Sequence, residues 1–259
     1  MKSALRHPFR VAWRLPAFLA VTTAGLLDHR WRLARAGRGQ GNDPRAAAAW
    51  MTRWARNTMG SIGVRHAHEG PVPKEGLIVC NHLGYLDIPV LAASGNMVFV
   101  SKADVENWPL LGALARCGGT LFLKREQRSH VAAVADALAP IVESGTVVAL
   151  FPEGTSSGGD DILPFRSSLL EPAASRGWPV TPAWVHYELE DGVVSEDVAY
   201  WREMTFFPHF LNLLAKRSVL GRVRYGAPIR GVSDRKELTR RLHGEVSRMM
   251  HEGRARRAR

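Results

Sequence analysis

The chain has 259 residues, 46% of them hydrophobic and 23% charged, so we expect one large globular domain and no second full domain. Lys and Arg outnumber Asp and Glu by 35 to 24, so the net charge of +11 predicts an anionic partner, either nucleic acid or a membrane. Cys80 and Cys117 offer neither a disulfide framework nor metal-ligand spacing, which indicates a reducing compartment.

Most of the excess positive charge lies near the N-terminus, around apolar helices. Up to Arg56 there are eleven basic residues against Asp28 and Asp43, so this segment carries +9 of the +11. The apolar stretch 15–27 is shorter than the roughly 20 residues of a membrane span, and Asp43-Pro44 predicts the start of a second helix. We expect residues 1–62 to form an amphipathic helical hairpin, with tryptophans on its apolar faces, that docks on an anionic membrane. The alternative is a hairpin packed on the domain.

Residues 63–259 alternate between short apolar runs and helical stretches, and end in a basic tail. Predicted strands lie at Leu77–Cys80, Met97–Ser101, Thr120–Lys124, Thr146–Phe151, Val180–His186 and Val219–Tyr225. Predicted helices lie at Pro109–Cys117, Ser129–Glu143, Ser168–Ala174 and Glu237–Gly253. This alternation predicts an α/β domain with a mostly parallel or mixed central sheet flanked by helices, and ligands at the carboxyl ends of its strands.

The segment CNHLGYLDIPVL places His82 and Asp87 between two apolar runs. On one helix these residues would be about 140° apart, so they can meet only if the chain turns between them. A strand, a turn at Gly84 and a helix from Ile88 would bring them together, with the carboxylate binding one imidazole nitrogen and leaving the other as a base. The alternative is that His82 caps the turn and Asp87 caps the helix.

Three further predicted strands end in residues suited to binding an anion. One runs into Lys102, the next into Lys124-Arg125, and the third into Pro152-Glu153-Gly154-Thr155. If these strands are neighbours, a base, cations and a glycine turn with free amides gather at one edge of the sheet. Solvated cations and a plain turn are the alternatives.

In sequence order, four blocks resemble those of the PlsC-like glycerolipid acyltransferases. Asn81-His82 through Asp87 is similar to the His, four residues, Asp signature of that family; the other blocks are 119–125, 151–155 and 180–183. Together they cover roughly 76–185. The N-terminal helix pair is similar to the membrane-docking element of bacterial members.

The resemblance implies a membrane-associated O-acyltransferase of phospholipid biosynthesis. His82 would take a proton from the acceptor hydroxyl and Asp87 would hold the imidazole, while amides of the Gly154 turn would bind the oxyanion. Further residues would bind the acceptor or shape its site, and they are Lys102, Arg125, Glu153, Gly154, Thr155 and Arg166. Glu153 would either organise its turn or contact the acceptor. No cofactor or metal is implied; acyl-CoA or acyl carrier protein would be the co-substrate.

For the acyl acceptor we expect lysophosphatidic acid first, with another lysolipid such as lyso-ornithine lipid as the alternative. Many members that act on lysophosphatidic acid carry arginine directly after Glu-Gly-Thr, and this chain carries Ser156 there. Arg166 would partly compensate for the missing charge. The family favours 1-acyl-sn-glycerol-3-phosphate, which would give phosphatidic acid, and the residues after Ser156 are closer to the branch that includes lyso-ornithine lipid acyltransferases.

Proteins of other classes explain less of the sequence. A nucleic-acid-binding protein would carry its basic residues on the folded body or along a recognition helix, not around apolar helices at one end. A serine hydrolase would have a Gly-x-Ser-x-Gly elbow, and the sequence has none. A non-catalytic membrane scaffold descended from the family is the other alternative. We therefore expect a monotopic or peripheral enzyme on the cytoplasmic face of the cell membrane, with no nucleic-acid partner.

Overall fold

The computed structural model of the protein describes residues 7–36, 43–123 and 130–257, with side chains except those of 130–134. Seven strands in these ranges form one sheet. They are β1 (Val64–Glu69), β2 (Leu77–Cys80), β3 (Met97–Lys102), β4 (Leu121–Leu123), β5 (Val147–Leu150), β6 (Val180–Leu189) and β7 (Val219–Tyr225). The α-helices are α1 (Pro8–Ala36), α2 (Pro44–Ser61), α3 (Asp87–Ser94), α4 (Leu111–Cys117), α5 (His130–Glu143), α6 (Glu171–Arg176), α7 (Val194–Asp197), α8 (Phe206–Ala215) and α9 (Arg235–Arg257).

The strand order in the sheet is β1-β7-β6-β2-β5-β3-β4. Every neighbouring pair is parallel except β6 and β7, which are antiparallel. The predicted mixed α/β sheet flanked by helices is therefore confirmed. Strands β2 and β5 are apolar and fully buried because helices cover both faces of the sheet, as is usual for parallel strands.

Strand β1 and helices α7 and α8 were not expected from the sequence. Strand β1 reads Val-Arg-His-Ala-His-Glu and pairs with β7 at the edge of the sheet, where exposed polar residues are tolerated. Helix α8 follows the predicted fourth block and buries His209, Phe210 and Leu213. Strand β6 is also longer than predicted, because its last residues continue to pair with β7.

Helix α2 is part of the domain core. Asp43 caps it as expected, with the Asp43 Oδ1 carboxylate oxygen accepting from the Arg45 backbone amide at 3.0 Å. Its apolar face is buried, with Trp50 2% and Trp54 8% exposed. This face packs on the sheet, on α3 and on α1, so its tryptophans lie in the core, and membrane docking by the helix pair stays a prediction.

Helix α1 lies outside α2 and has one buried and one exposed apolar side. Phe18 and Thr22 face the domain, and Gly25 lets α1 approach Trp54, whose Cδ1 would be 2.9 Å from a Cβ at that position. The Trp50 indole Nε1 donates a hydrogen bond of 2.9 Å to the Gly25 carbonyl. None of the helices within the described ranges is both long and apolar enough to cross a membrane.

Candidate active site

The chain turns between β2 and α3, and the turn brings His82 and Asp87 together. The His82 Nδ1 lies 2.7 Å from the Asp87 Oδ2. Gly84 makes the turn possible: its φ is +152°, and a Cβ there would lie 2.8 Å from the backbone nitrogen of Tyr200. The predicted strand, turn and helix are all observed, with Asp87 as the first residue of α3.

The Asp87 carboxylate is fully buried and accepts hydrogen bonds from four groups. Its Oδ2 accepts from His82, from the Leu83 amide at 2.7 Å and from the Gly84 amide at 2.9 Å, while its Oδ1 accepts from the Tyr187 hydroxyl at 2.7 Å. Asp87 has no exposed surface. A buried carboxylate is stable only with such partners, so this arrangement holds the carboxylate in a single orientation.

The His82 imidazole is held on its face as well as its edge. Its ring stacks on Phe151 with centroids 4.2 Å apart, and its side chain is 23% exposed. With the Nδ1 proton donated to Asp87, the Nε2 lone pair is left as the basic site of the ring. The arrangement can accept a proton from a hydroxyl that reaches the exposed edge of the ring.

Glu153 lies next to the turn that carries His82. Glu153 is 4% exposed, and its Oε1 accepts a hydrogen bond from the His82 backbone amide at 3.4 Å. Burial raises the pKa of Glu153 to about 8, although the hydrogen bond from that amide lowers it. Of its two expected roles, this burial favours organising the turn over contacting the acceptor.

In the turn after β5, Gly154 lies against the side chain of Arg166. Gly154 has a φ of +75°, and a Cβ at this position would lie 2.7 Å from the Arg166 Nε. The Arg166 amide donates to the Pro152 carbonyl at 2.9 Å. Arg166 is an exposed residue, and its guanidinium lies against the glycine turn. The Gly154 amide donates to the Phe151 carbonyl at 3.2 Å, within the turn itself. Thr155 is exposed beside it.

The Ser156 hydroxyl makes a hydrogen bond within the protein, to the segment that follows β6. Its Oγ donates to the Tyr200 carbonyl at 2.5 Å, and the Tyr200 amide donates to the Leu83 carbonyl at 2.7 Å. Ser157 completes the contact, because its amide donates to the His82 carbonyl at 2.9 Å. The loops that carry Asp87 and Glu153 are thus joined to each other and to Tyr200.

Of the two remaining predicted cations, Lys102 lies farther along the sheet. Lys102 is the exposed last residue of β3, which is separated from β2 by β5, so the two strands are about 10 Å apart. Arg125 lies outside the described residues. Its expected role in binding the head group stays a prediction.

Two buried residues of the site were not predicted from the sequence. Tyr187 contacts Asp87 from β6, and the only sequence signal was the alternation Val185, Tyr187, Leu189, which continues past the predicted end of that strand at His186. Asn81 ties β2 to β6: its Nδ2 donates to the Val185 carbonyl at 3.0 Å and its Oδ1 accepts from the Val185 amide at 2.8 Å. Both side chains fix the position of the loop that carries His82.

The fold and the paired His82 and Asp87 are the arrangement expected of an α/β enzyme that uses a histidine base. A protein-family profile described as Acyltransferase matches residues 61–186. The lyso-ornithine lipid O-acyltransferase of Pseudomonas aeruginosa is 30% identical over 241 residues, 92% of each chain. The chain therefore belongs to the PlsC-type acyltransferase family, as its four sequence blocks suggested.

The names of further relatives give two different acceptors. The lyso-ornithine lipid O-acyltransferase of Rhodobacter capsulatus is 35% identical over 159 residues, which are 60% of this chain and 57% of that protein. A 1-acyl-sn-glycerol-3-phosphate acyltransferase of Neisseria meningitidis is 30% identical over 51% of this chain and 52% of that protein. The crystal structure of the LPA acyltransferase PlsC from Thermotoga maritima has the same fold, with a TM-score of 0.70, 98% coverage of both chains and 18% identity.

Proposed function

We propose that the protein transfers a fatty acyl group from an acyl thioester to the hydroxyl of a lysolipid. The observation that carries this proposal is the contact of 2.7 Å between His82 Nδ1 and the buried Asp87 carboxylate. It leaves His82 Nε2 as a base next to a partly exposed surface, as general-base catalysis requires. Family membership supports the same reaction. The donor is proposed to be acyl-CoA or acyl carrier protein, with no further cofactor.

In the proposed mechanism, the acceptor hydroxyl gives its proton to His82 Nε2 while its oxygen attacks the thioester carbonyl carbon. A tetrahedral intermediate forms with the negative charge on the former carbonyl oxygen. The carbon–sulfur bond then breaks, and the leaving thiolate takes the proton from the imidazolium. Asp87 holds the Nδ1–H and stabilises the charged ring in both steps, so no covalent acyl-enzyme is needed.

For the acceptor, we propose lyso-ornithine lipid first and lysophosphatidic acid second. The first is supported by the Pseudomonas aeruginosa relative, which is 30% identical over 92% of each chain, and by Ser156, whose hydroxyl donates to the Tyr200 carbonyl. The second is supported by the Neisseria relative and by Arg166, whose guanidinium lies against the Gly154 turn and could pair with a phosphate.

The test of this proposal offers both acceptors, side by side, to purified protein with a labelled acyl thioester. Transfer to lyso-ornithine lipid alone supports the first acceptor, and transfer to lysophosphatidic acid alone supports the second. An absence of transfer to either, from both acyl-CoA and acyl carrier protein donors, would contradict the proposed reaction. A folded Asp197→Asn variant serves as the matched control, because it alters a carboxylate whose partners are the Val193 amide, Asn212 and Lys216 and not His82.

We also propose that α1 holds the protein on an anionic membrane surface. The side chains of Phe9, Trp13, Leu27 and Trp31 are 88%, 76%, 60% and 53% exposed. At 100° per residue these four positions lie within about 40° of one another on the helix. The Arg35 guanidinium lies 4.1 Å from the centroid of the Trp31 ring, at one end of this face. An exposed apolar helix face bordered by cations suits the boundary between acyl chains and anionic head groups.

Point substitutions test this surface better than a deletion, because removing the helix pair would also remove Trp50 and Trp54 from the core. We expect Trp13→Glu combined with Trp31→Glu to abolish co-sedimentation with vesicles that contain anionic lipid. Val193→Glu, which changes an apolar side chain of similar exposure elsewhere, should co-sediment like the wild type. Undiminished binding by the double variant would place the membrane contact on another surface.

A further inference from the structure

Tyr187 lies on β6, and its side chain contacts the paired His82 and Asp87 through Asp87. Its hydroxyl donates to the Asp87 Oδ1 at 2.7 Å, whereas His82 binds the Oδ2 of the same carboxylate. Tyr187 is 3% exposed, so this hydrogen bond is made without competition from solvent. It is the one contact on Oδ1 among the described residues, while Oδ2 has three.

The fold makes room for this tyrosine with a glycine. Tyr187 pairs with Gly221 in the register of β6 and β7. A Cβ at Gly221 would lie 3.1 Å from the Tyr187 Cε1 and 2.7 Å from the Val90 Cγ2. The ring therefore packs directly against the backbone of β7, with α3 on the other side, and its hydroxyl is directed at Asp87.

We propose that Tyr187 is a positioning residue of the acyl transfer reaction. Its hydroxyl holds Oδ1, which fixes the rotation of the carboxylate, and it withdraws negative charge from Oδ2. Asp87 then orients the His82 ring without overstabilising the imidazolium, so the ring can be neutral when the acceptor hydroxyl arrives. This inference rests on the proposed function.

The other ionisable groups around this carboxylate are buried, and burial raises their pKa values. Burial raises the pKa values of Cys80, Tyr85 and Tyr187 itself, which keeps all three neutral at physiological pH. Burial also raises the pKa of Glu153 to about 8, so this residue is mostly neutral below that pH. The acidic limb of the rate profile is therefore measured below about pH 7, where Glu153 keeps its proton.

The test is Tyr187→Phe, with Tyr225→Phe as its matched control. Tyr225 is also a buried tyrosine, 4% exposed, and its hydroxyl contacts the Ser94 Oγ at 2.5 Å, so the control loses a comparable bond away from Asp87. For Tyr187→Phe we expect kcat at pH 7 to fall about tenfold, with the KM for the acceptor unchanged. We also expect the acidic limb of kcat to move to higher pH by about half a unit to one unit.

The outcomes separate the role of Tyr187 from the reaction itself. If Tyr187→Phe and Tyr225→Phe have the same acidic limb and the same kcat, the positioning role is overturned while the acyl transfer stands. If the wild type transfers no acyl group at all, the proposed function fails first. A merely structural role would lower the stability of both variants and leave the pH profile unmoved.

Two further variants keep the inference testable if Tyr187→Phe does not fold. Replacing Tyr187 with 3-fluorotyrosine keeps the ring and makes the hydroxyl a stronger donor, so the acidic limb should move to lower pH; an unmoved limb would overturn the role. In an Asp87→Asn background, adding Tyr187→Phe should cost less than twofold in kcat, because the carboxylate through which Tyr187 acts is already gone. A full additional tenfold loss would show that Tyr187 acts by another route.

Discussion

The two sides of the candidate active site differ in how their side chains are held. On the side of β2, Asp87 is fully buried and both its carboxylate oxygens are engaged. On the side of β5 and β3, the residues expected to meet the acceptor are exposed, namely Lys102, Thr155 and Arg166. The groups proposed for the chemistry are thus fixed by the fold, whereas those proposed for the head group are adaptable. Substitutions on the first side should change kcat, and those on the second should change KM and acceptor choice.

The largest effect in this comparison is expected for Asp87→Asn. An amide cannot stabilise the imidazolium, and its NH₂ group would face donors in a buried site, so kcat should fall about 10³-fold. The KM for the acceptor should change little. The measurement is steady-state acyl transfer, alongside the Asp197→Asn control, which should keep wild-type kcat. A loss below tenfold in Asp87→Asn would mean that the two sides do not differ as described.

A smaller effect is expected for Arg166→Gln on the exposed side. Loss of a charge beside the Gly154 turn should raise the KM for an anionic acceptor about tenfold while kcat changes less than twofold. Arg176→Gln is the matched control, since Arg176 is an exposed arginine paired with Glu143. Equal KM values for the two variants would remove Arg166 from acceptor binding. A large fall in kcat would place it in the chemistry instead.

The smallest effect concerns Glu153, which lies in the turn after β5 and accepts a hydrogen bond from the backbone of His82 on the other side. Its pKa is raised from an ordinary value near 4.5 to about 8, so the folded state keeps a proton that the unfolded chain loses. This contribution to the free energy of unfolding is fully present below about pH 4.5 and is lost as the pH rises through about 8. Urea unfolding at pH 5.5 and at pH 8.5 measures this effect. Between these two pH values, the free energy of unfolding should fall less in Glu153→Gln than in the wild type. Glu143→Gln, at an exposed position, should behave like the wild type.

The sequence was sufficient to predict the parts of the site that depend on local order along the chain. The spacing of His82 and Asp87 with Gly84 between them predicted a turn, and apolar runs predicted the central strands. Tyr187 could not be predicted, because its contact with Asp87 depends on pairing between β6 and β7 and on Gly221 in the opposite strand. That pairing joins segments far apart in the chain, and nothing in the local pattern sets its register.

The helix pair is a second case in which the local sequence pattern does not predict the contacts. Both helices have apolar faces with tryptophans, and periodicity alone gives no reason to assign one face to the core and the other to solvent. The packing decides: Trp50 and Trp54 are buried under α1, whereas Trp13 and Trp31 are exposed. Strand β1 was missed because its edge position tolerates a polar sequence.

The central claim is that His82 is the base for acyl transfer, and His82→Ala tests it most directly. With a labelled acyl thioester and the better of the two acceptors, we expect this variant to lose at least about 10³-fold in kcat while keeping its thermal unfolding midpoint and its vesicle binding. His68→Ala, on the edge strand β1, should keep wild-type turnover. Wild-type turnover by folded His82→Ala would contradict the account.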